Sequence, residues 1–149
     1  MSEYYTDSMK KLFSSHNVLS IIRILLGFVF LWAFLDKTFG LGISTVSTNA
    51  WIHGGSPTTG FLSNAVTGPL SAFFNSLSGL AIIDWLFMGG LLFVGSSLVF
   101  NKWVRWGCFI GVVMLLLMYL ALLWPANNPF VDDHMIYALV LVYIAMKSE

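Results

Sequence analysis

The chain has 149 residues, of which 58% are hydrophobic and 9% charged, with a mean hydropathy of +0.83 and a formal net charge of zero. A soluble domain carries about 25% charged residues, so this composition excludes a water-covered globule and places the chain in a bilayer, as a single membrane domain over residues 1–149. Neutrality gives no electrostatic footprint for nucleic acid, and the lone cysteine, Cys108, excludes an internal disulfide, a CxxC redox pair and a cysteine-based zinc site.

A helix crossing the hydrocarbon core needs about 20 apolar residues. The first such segment is residues 18–39, "VLSIIRILLGFVFLWAFLDKTF". It is too long for the apolar region of a signal peptide and ends in Asp36-Lys37, not in a small-residue cleavage site. The second is residues 80–100 and the third residues 103–124, closed by Pro125. The fourth, residues 129–147, is slightly shorter and has Pro129 suited to its first turn. The expected fold is all-α: an antiparallel four-helix transmembrane bundle, with short interfacial helices in a long first outer loop.

Basic residues set the expected orientation. Lys10, Lys11, Arg23, Lys102, Arg105 and Lys147 fall on one side if the spans alternate, and only Lys37 falls on the other. Both termini are therefore expected in the cytoplasm. Trp32, Trp51, Trp85 and Trp124 mark the outer boundary, Trp103 and Trp106 the inner one.

Residues 40–79 form the outer loop, and between Thr38 and Ile83 there is no Asp, Glu, Lys or Arg. Phe61, Leu62, Ala65, Val66, Leu70, Phe73, Phe74 and Leu77 recur with helical period, interrupted at Gly68-Pro69. That pattern predicts two short helices resting on the membrane interface. Ahead of them stands "GGSPTTG", residues 54–60. Its Gly54-Gly55 amides with the hydroxyls of Ser56, Thr58 and Thr59 can wrap a small anion, or they can form a tight turn followed by an N-cap.

The remaining chemistry gathers at the outer side. Asp36 lies at a helix C-terminal end, where negative charge is disfavoured, so it needs a partner or a role inside the bundle. Asp84, in the first turn of the second span, is either a solvated end residue or a proton acceptor. Asp132, Asp133 and His134 open the fourth span: helix-start acids are electrostatically comfortable, and here they also place proton acceptors near Tyr137. Arg23 and Arg105 are expected to snorkel to the cytoplasmic surface. Gly107 and Gly111, with Gly89, Gly90, Gly95 and Ser96, read as helix-packing positions, and Cys108 as a small buried hydrophobe.

Together, "RILLGFVFLWAFLDKTFGLG", "WIHGGSPTTGFL", "DWLFMGGLL" and "NNPFVDDHMIYAL" resemble the DoxX/DoxD family of small prokaryotic membrane proteins. The resemblance implies the membrane subunit of a thiosulfate:quinone oxidoreductase, which oxidises two thiosulfates to tetrathionate, uses quinone as electron acceptor and works with a DoxA-like second subunit. Under that chemistry Lys37, His53, Gly54, Gly55 and Ser56 are candidates to bind the sulfur anion, and Asp36, Asp84, Asp133 and His134 to handle the quinone's protons. No CxxCH, GxGxxG or cysteine cluster supplies a tightly bound cofactor, and no metal is assigned, although the two outer histidines with the acids can ligate one in principle. The alternative is a non-catalytic accessory subunit of a membrane respiratory complex, either form also admitting a homo-oligomer.

Overall fold

The structure is a computed structural model that describes residues 15–125, 128 and 130–148. Among the described residues there are six α-helices: α1 Ser15–Phe39, α2 Thr59–Asn64, α3 Ser71–Ser76, α4 Ala81–Phe100, α5 Val104–Ala121 and α6 Asp133–Lys147. Two 3-10 turns, Ser47–Asn49 and Trp51–His53, lie between α1 and α2, and no strand occurs among the described residues. Among the described residues three helices are long and apolar enough to cross a membrane: Asn17–Phe39, Ala81–Phe100 and Val104–Ala121.

The ends of the last two helices differ from the sequence reading. α5 stops at Ala121, three residues before the expected Trp124, because the Leu122 amide bonds to both the Met118 and Tyr119 carbonyls and tightens the final turn. α6 begins at Asp133, not at residue 129: Asp132 is its N-cap, in extended conformation, with a side chain that accepts from the Met135 amide. At 15 residues α6 is about 22 Å long, short of a ~30 Å hydrocarbon core. Pro129, Lys10 and Lys11 lie outside the described residues.

The four long helices pack in the order α1, α4, α5, α6, with a smaller contact between α1 and α6. Contacts pair the start of one helix with the end of the next, so neighbours run antiparallel. α1 and α4 cross at Gly27 and Gly95: a Cβ on Gly95 would sit 2.8 Å from the Leu31 nitrogen and 3.0 Å from the Gly27 carbonyl. α4 and α5 cross at Ser97 and Gly107, where a Cβ would meet Ser97 Oγ at 1.7 Å. Gly111 lies against Leu141 of α6 and Val94 of α4. Small residues at these positions let the backbones approach. Gly89, by contrast, is exposed and touches nothing.

The core between these helices includes Leu26, Phe30, Met88, Val94, Leu98, Cys108, Leu115, Leu141 and Ile144. The outward faces are equally apolar: Leu25 and Phe28 on α1, Leu86 on α4, Phe109 on α5, Leu139 and Met146 on α6 are all exposed. A continuous apolar exterior of this kind requires lipid or protein contact.

At one end, α4 closes on Asn101 in left-handed conformation (φ 56°), whose amide and that of Lys102 both reach the Ser97 carbonyl. Arg23 of α1 donates from Nη1 to the Leu98 carbonyl. This guanidinium thus lies at the negative end of the α4 dipole and satisfies a terminal carbonyl, a more specific role than the expected snorkelling.

At the other end, residues 40–80 fold over the helix termini. α2 and α3 stand where the apolar period predicted two short helices, with Gly68 (φ 76°) between them. Leu62, Phe74 and Ala121 form a small second core with Phe61, Val66, Leu77 and Ile83, and the Thr67 amide donates to the Ala121 carbonyl. Trp51 packs edge-on against Trp85 of α4, with ring centroids 4.6 Å apart.

Candidate functional site

Asp36 is 1% exposed in the last turn of α1. Its Oδ1 accepts from the Ile43 amide at 3.2 Å; its Oδ2 accepts from the Ser44 amide at 3.1 Å and the Ser44 hydroxyl at 2.6 Å. The partner that a carboxylate at a helix C-terminus requires is therefore the loop backbone seven and eight residues on. Charge-assisted bonds of this kind are the strong ones, and here they hold residues 43–44 against the end of α1. Lys37, the next residue, is half-buried.

Asp84 is 7% exposed one turn into α4, so it is not a solvated end residue. Three donors converge on its Oδ1: the Ser56 hydroxyl at 2.8 Å, the Thr58 amide at 3.1 Å and the Thr58 hydroxyl at 2.6 Å. Ser56 Oγ in turn accepts from the Thr59 amide at 3.1 Å and the Thr59 hydroxyl at 2.7 Å, and Thr59 Oγ1 accepts from the Gly79 amide at 3.1 Å. One acid thus organises a polar network that seats the start of α2 and the approach to α4. Ser56, a candidate to meet a sulfur anion, is a partner of Asp84.

The glycine turn is closed on itself. Gly54 (φ 85°) ends the second 3-10 turn with its amide on the Trp51 carbonyl at 3.0 Å, and the Gly55 amide reaches the Ala50 carbonyl at 3.1 Å. A Cβ on Gly55 would lie 2.1 Å from the Asn49 carbonyl oxygen, so close backbone approach is what demands glycine there. Both amides are spent inside the turn, which fits the tight-turn alternative and leaves neither directed at an anion. His53 is exposed, and its Nδ1–H donates to the Ser47 carbonyl at 2.8 Å.

At the start of α6, Asp132 does two jobs. Oδ1 accepts from the Met135 amide at 3.1 Å, and Oδ2 accepts from His134 Nδ1 at 2.6 Å, with side-chain exposures of 13% and 22%. The carboxylate accepts from Nδ1–H and so orients the imidazole. Asp133 is exposed, as is Tyr137. From sequence Asp132 reads as a comfortable helix-start acid or as one of the proton acceptors near Tyr137; the spacing of two to His134 and three to Met135 is the pattern that marks its double role.

The antiparallel order brings Asp36, Asp84 and the Asp132–His134 pair to one end of the molecule. It does not join them: no hydrogen bond among the described residues links one of these groups to another, since each is engaged by its own local segment. Among the described residues no group of three or more His, Cys, Asp or Glu gathers as a metal-binding set. The two cavities described, of about 850 and 350 Å³, lie at the opposite end, beside Arg23 and the α4–α5 turn. Sequence reasoning missed Ser44 and Thr58 as the principal partners of the two buried acids. The repeated hydroxyls after each glycine pair, "GLGIST" and "GGSPTT", were the available signal.

No protein-family model, no curated protein and no solved structure matches this chain.

Proposed function

We propose that the chain is a four-span membrane subunit, with both termini on the cytoplasmic side of a prokaryotic cell membrane, that serves a membrane respiratory complex as a non-catalytic accessory. The observation that carries this reading is the use of Asp36 and Asp84: both are buried, and each accepts three hydrogen bonds from the loop it holds. A buried carboxylate engaged in this way by the loop beside it serves as a structural anchor. Supporting a fourth span, α6 packs along α5, exposes Leu139, Val142 and Met146, and ends in Lys147. Supporting the orientation, Arg23, Lys102, Arg105 and Lys147 share one end. The exposed apolar faces suit lipid and a neighbouring subunit, whether a second copy or a DoxA-like chain.

A second reading keeps the chain as the membrane subunit of a thiosulfate:quinone oxidoreductase. It rests on the Asp132–His134 pair, the only carboxylate-held imidazole among the described residues. One experiment separates the two. The purified full-length chain, reconstituted in nanodiscs, is given thiosulfate and a soluble quinone. The accessory reading expects no quinone reduction above a protein-free control; turnover abolished by His134→Ala overturns it in favour of the second.

A further inference from the structure

The cavity of about 850 Å³ is bounded by the start of α1, the α4–α5 turn and the end of α6. Three cationic side chains line it: Arg23, Arg105 and Lys147. No acid lines it among the described residues. Like charges gathered in one hollow repel, and the repulsion grows as the surroundings become less water-like. The two arginines are also held in place. Arg23 donates from Nη1 to the Leu98 carbonyl, and Arg105 donates from Nε to the Ser148 carbonyl at 2.9 Å. A guanidinium has five N–H donors, so each of these bonds restrains the fork and leaves donors for an oxyanion.

Aromatic rings complete the walls. Trp103, Trp106 and Tyr143 line the same cavity and are 74%, 66% and 51% exposed, as amphipathic rings at headgroup level are. Trp103 is the N-cap of α5 with φ 52° and ψ 36°. A bulky residue in the left-handed region is an outlier, and such strain persists where the surroundings over-determine it, often at ligand clamps. Trp103 is also the shared wall to the second hollow of about 350 Å³, which Phe93 and Phe100 line together with Lys102.

We propose that this cavity binds the phosphodiester headgroup of an anionic phospholipid, with the phosphate between Arg23, Arg105 and Lys147 and the apolar part leaving past Trp103. Basic pockets between membrane helices have the charge and depth for such headgroups. The adjoining apolar hollow and exposed rings favour a lipid over free phosphate, which has no use for either. This inference goes beyond the accessory-subunit reading and rests only on the chain lying in a bilayer.

The test uses the full chain in a neutral detergent, with thermal unfolding followed as phosphatidylglycerol, phosphatidylcholine or inorganic phosphate is added. Phosphatidylglycerol is expected to raise the midpoint in a saturable way, phosphatidylcholine and inorganic phosphate not. Replacing two exposed cations together (Arg105→Gln with Lys147→Gln) weakens the phosphatidylglycerol response about tenfold or more. Lys37→Gln, at the other end, leaves it unchanged. If the double variant unfolds without ligand, native mass spectrometry of Lys147→Gln alone reads the loss of retained lipid. Equal shifts from both lipids, or a response that survives the double variant, overturn the proposal. An equal shift from inorganic phosphate overturns the lipid assignment and leaves a small-anion site.

Discussion

Asp84→Ala is the substitution with the most localised consequence. It strands the Ser56 hydroxyl, the Thr58 hydroxyl and the Thr58 amide together. Hydrogen bonds to a charged acceptor contribute about 1.5–3 kcal/mol each, but three that share one oxygen do not add, so we take about 3 kcal/mol for the carboxylate as a whole. That shifts the local opening equilibrium about 100-fold. Hydrogen exchange of the detergent-solubilised chain, read by mass spectrometry, should then speed up about 100-fold across residues 56–62, where the amides of Thr58, Thr59 and Leu62 are protected. Residues 41–46, held by Asp36, should not change. Asp36→Ala should give the reverse pattern, and Asp84→Asn, which keeps a neutral acceptor in place, a smaller effect. Unaltered exchange at residues 56–62 in Asp84→Ala would falsify the view that this acid latches the loop.

Three further outcomes follow from the packing and the local hydrogen bonds. Gly95→Ala drives a methyl into the α1 backbone at the Gly27 crossing and should cost about 1–3 kcal/mol, whereas Gly89→Ala on the same helix meets nothing and should stabilise by up to about 1 kcal/mol; thermal midpoints in detergent compare them. Asp132→Ala removes the α6 cap and should lower stability by about 1 kcal/mol, and the low-field Nδ1 proton resonance of His134 should vanish with it. His53→Ala loses a single bond from an exposed ring to the Ser47 carbonyl, so its midpoint should stay within about 1 kcal/mol of the parent, and a larger drop would contradict the exposed placement.

The helices were legible because their signal is additive over many residues. Length and apolar content located α1 and α4 to within a few residues, and helical period found α2 and α3 inside an uncharged loop. Helix ends depend on single capping contacts, so α5 and α6 came out shorter than the apolar runs that contain them. The polar site was the least legible part. Sequence placed Asp36 and Asp84 at a common end, yet their roles depend on contacts eight and 26 residues away along the chain. A folded-back loop buries both acids, and the hydroxyls of "GLGIST" and "GGSPTT" signal candidate partners without saying which acid each one meets. Arg23 shows the same limit: its acceptor, Leu98, is 75 residues distant.

The loop is stitched to three different columns: to α1 through Asp36, to α4 through Asp84 and to α5 through the Ala121 carbonyl. Sliding or tilting any one column against its neighbours must tear a stitch at that rim. The opposite rim carries side-chain ties from Arg23 to Leu98 and from Arg105 to Ser148 around an open basin. At the loop-covered rim, a shift of any one column is therefore passed to the other two through residues 43–67.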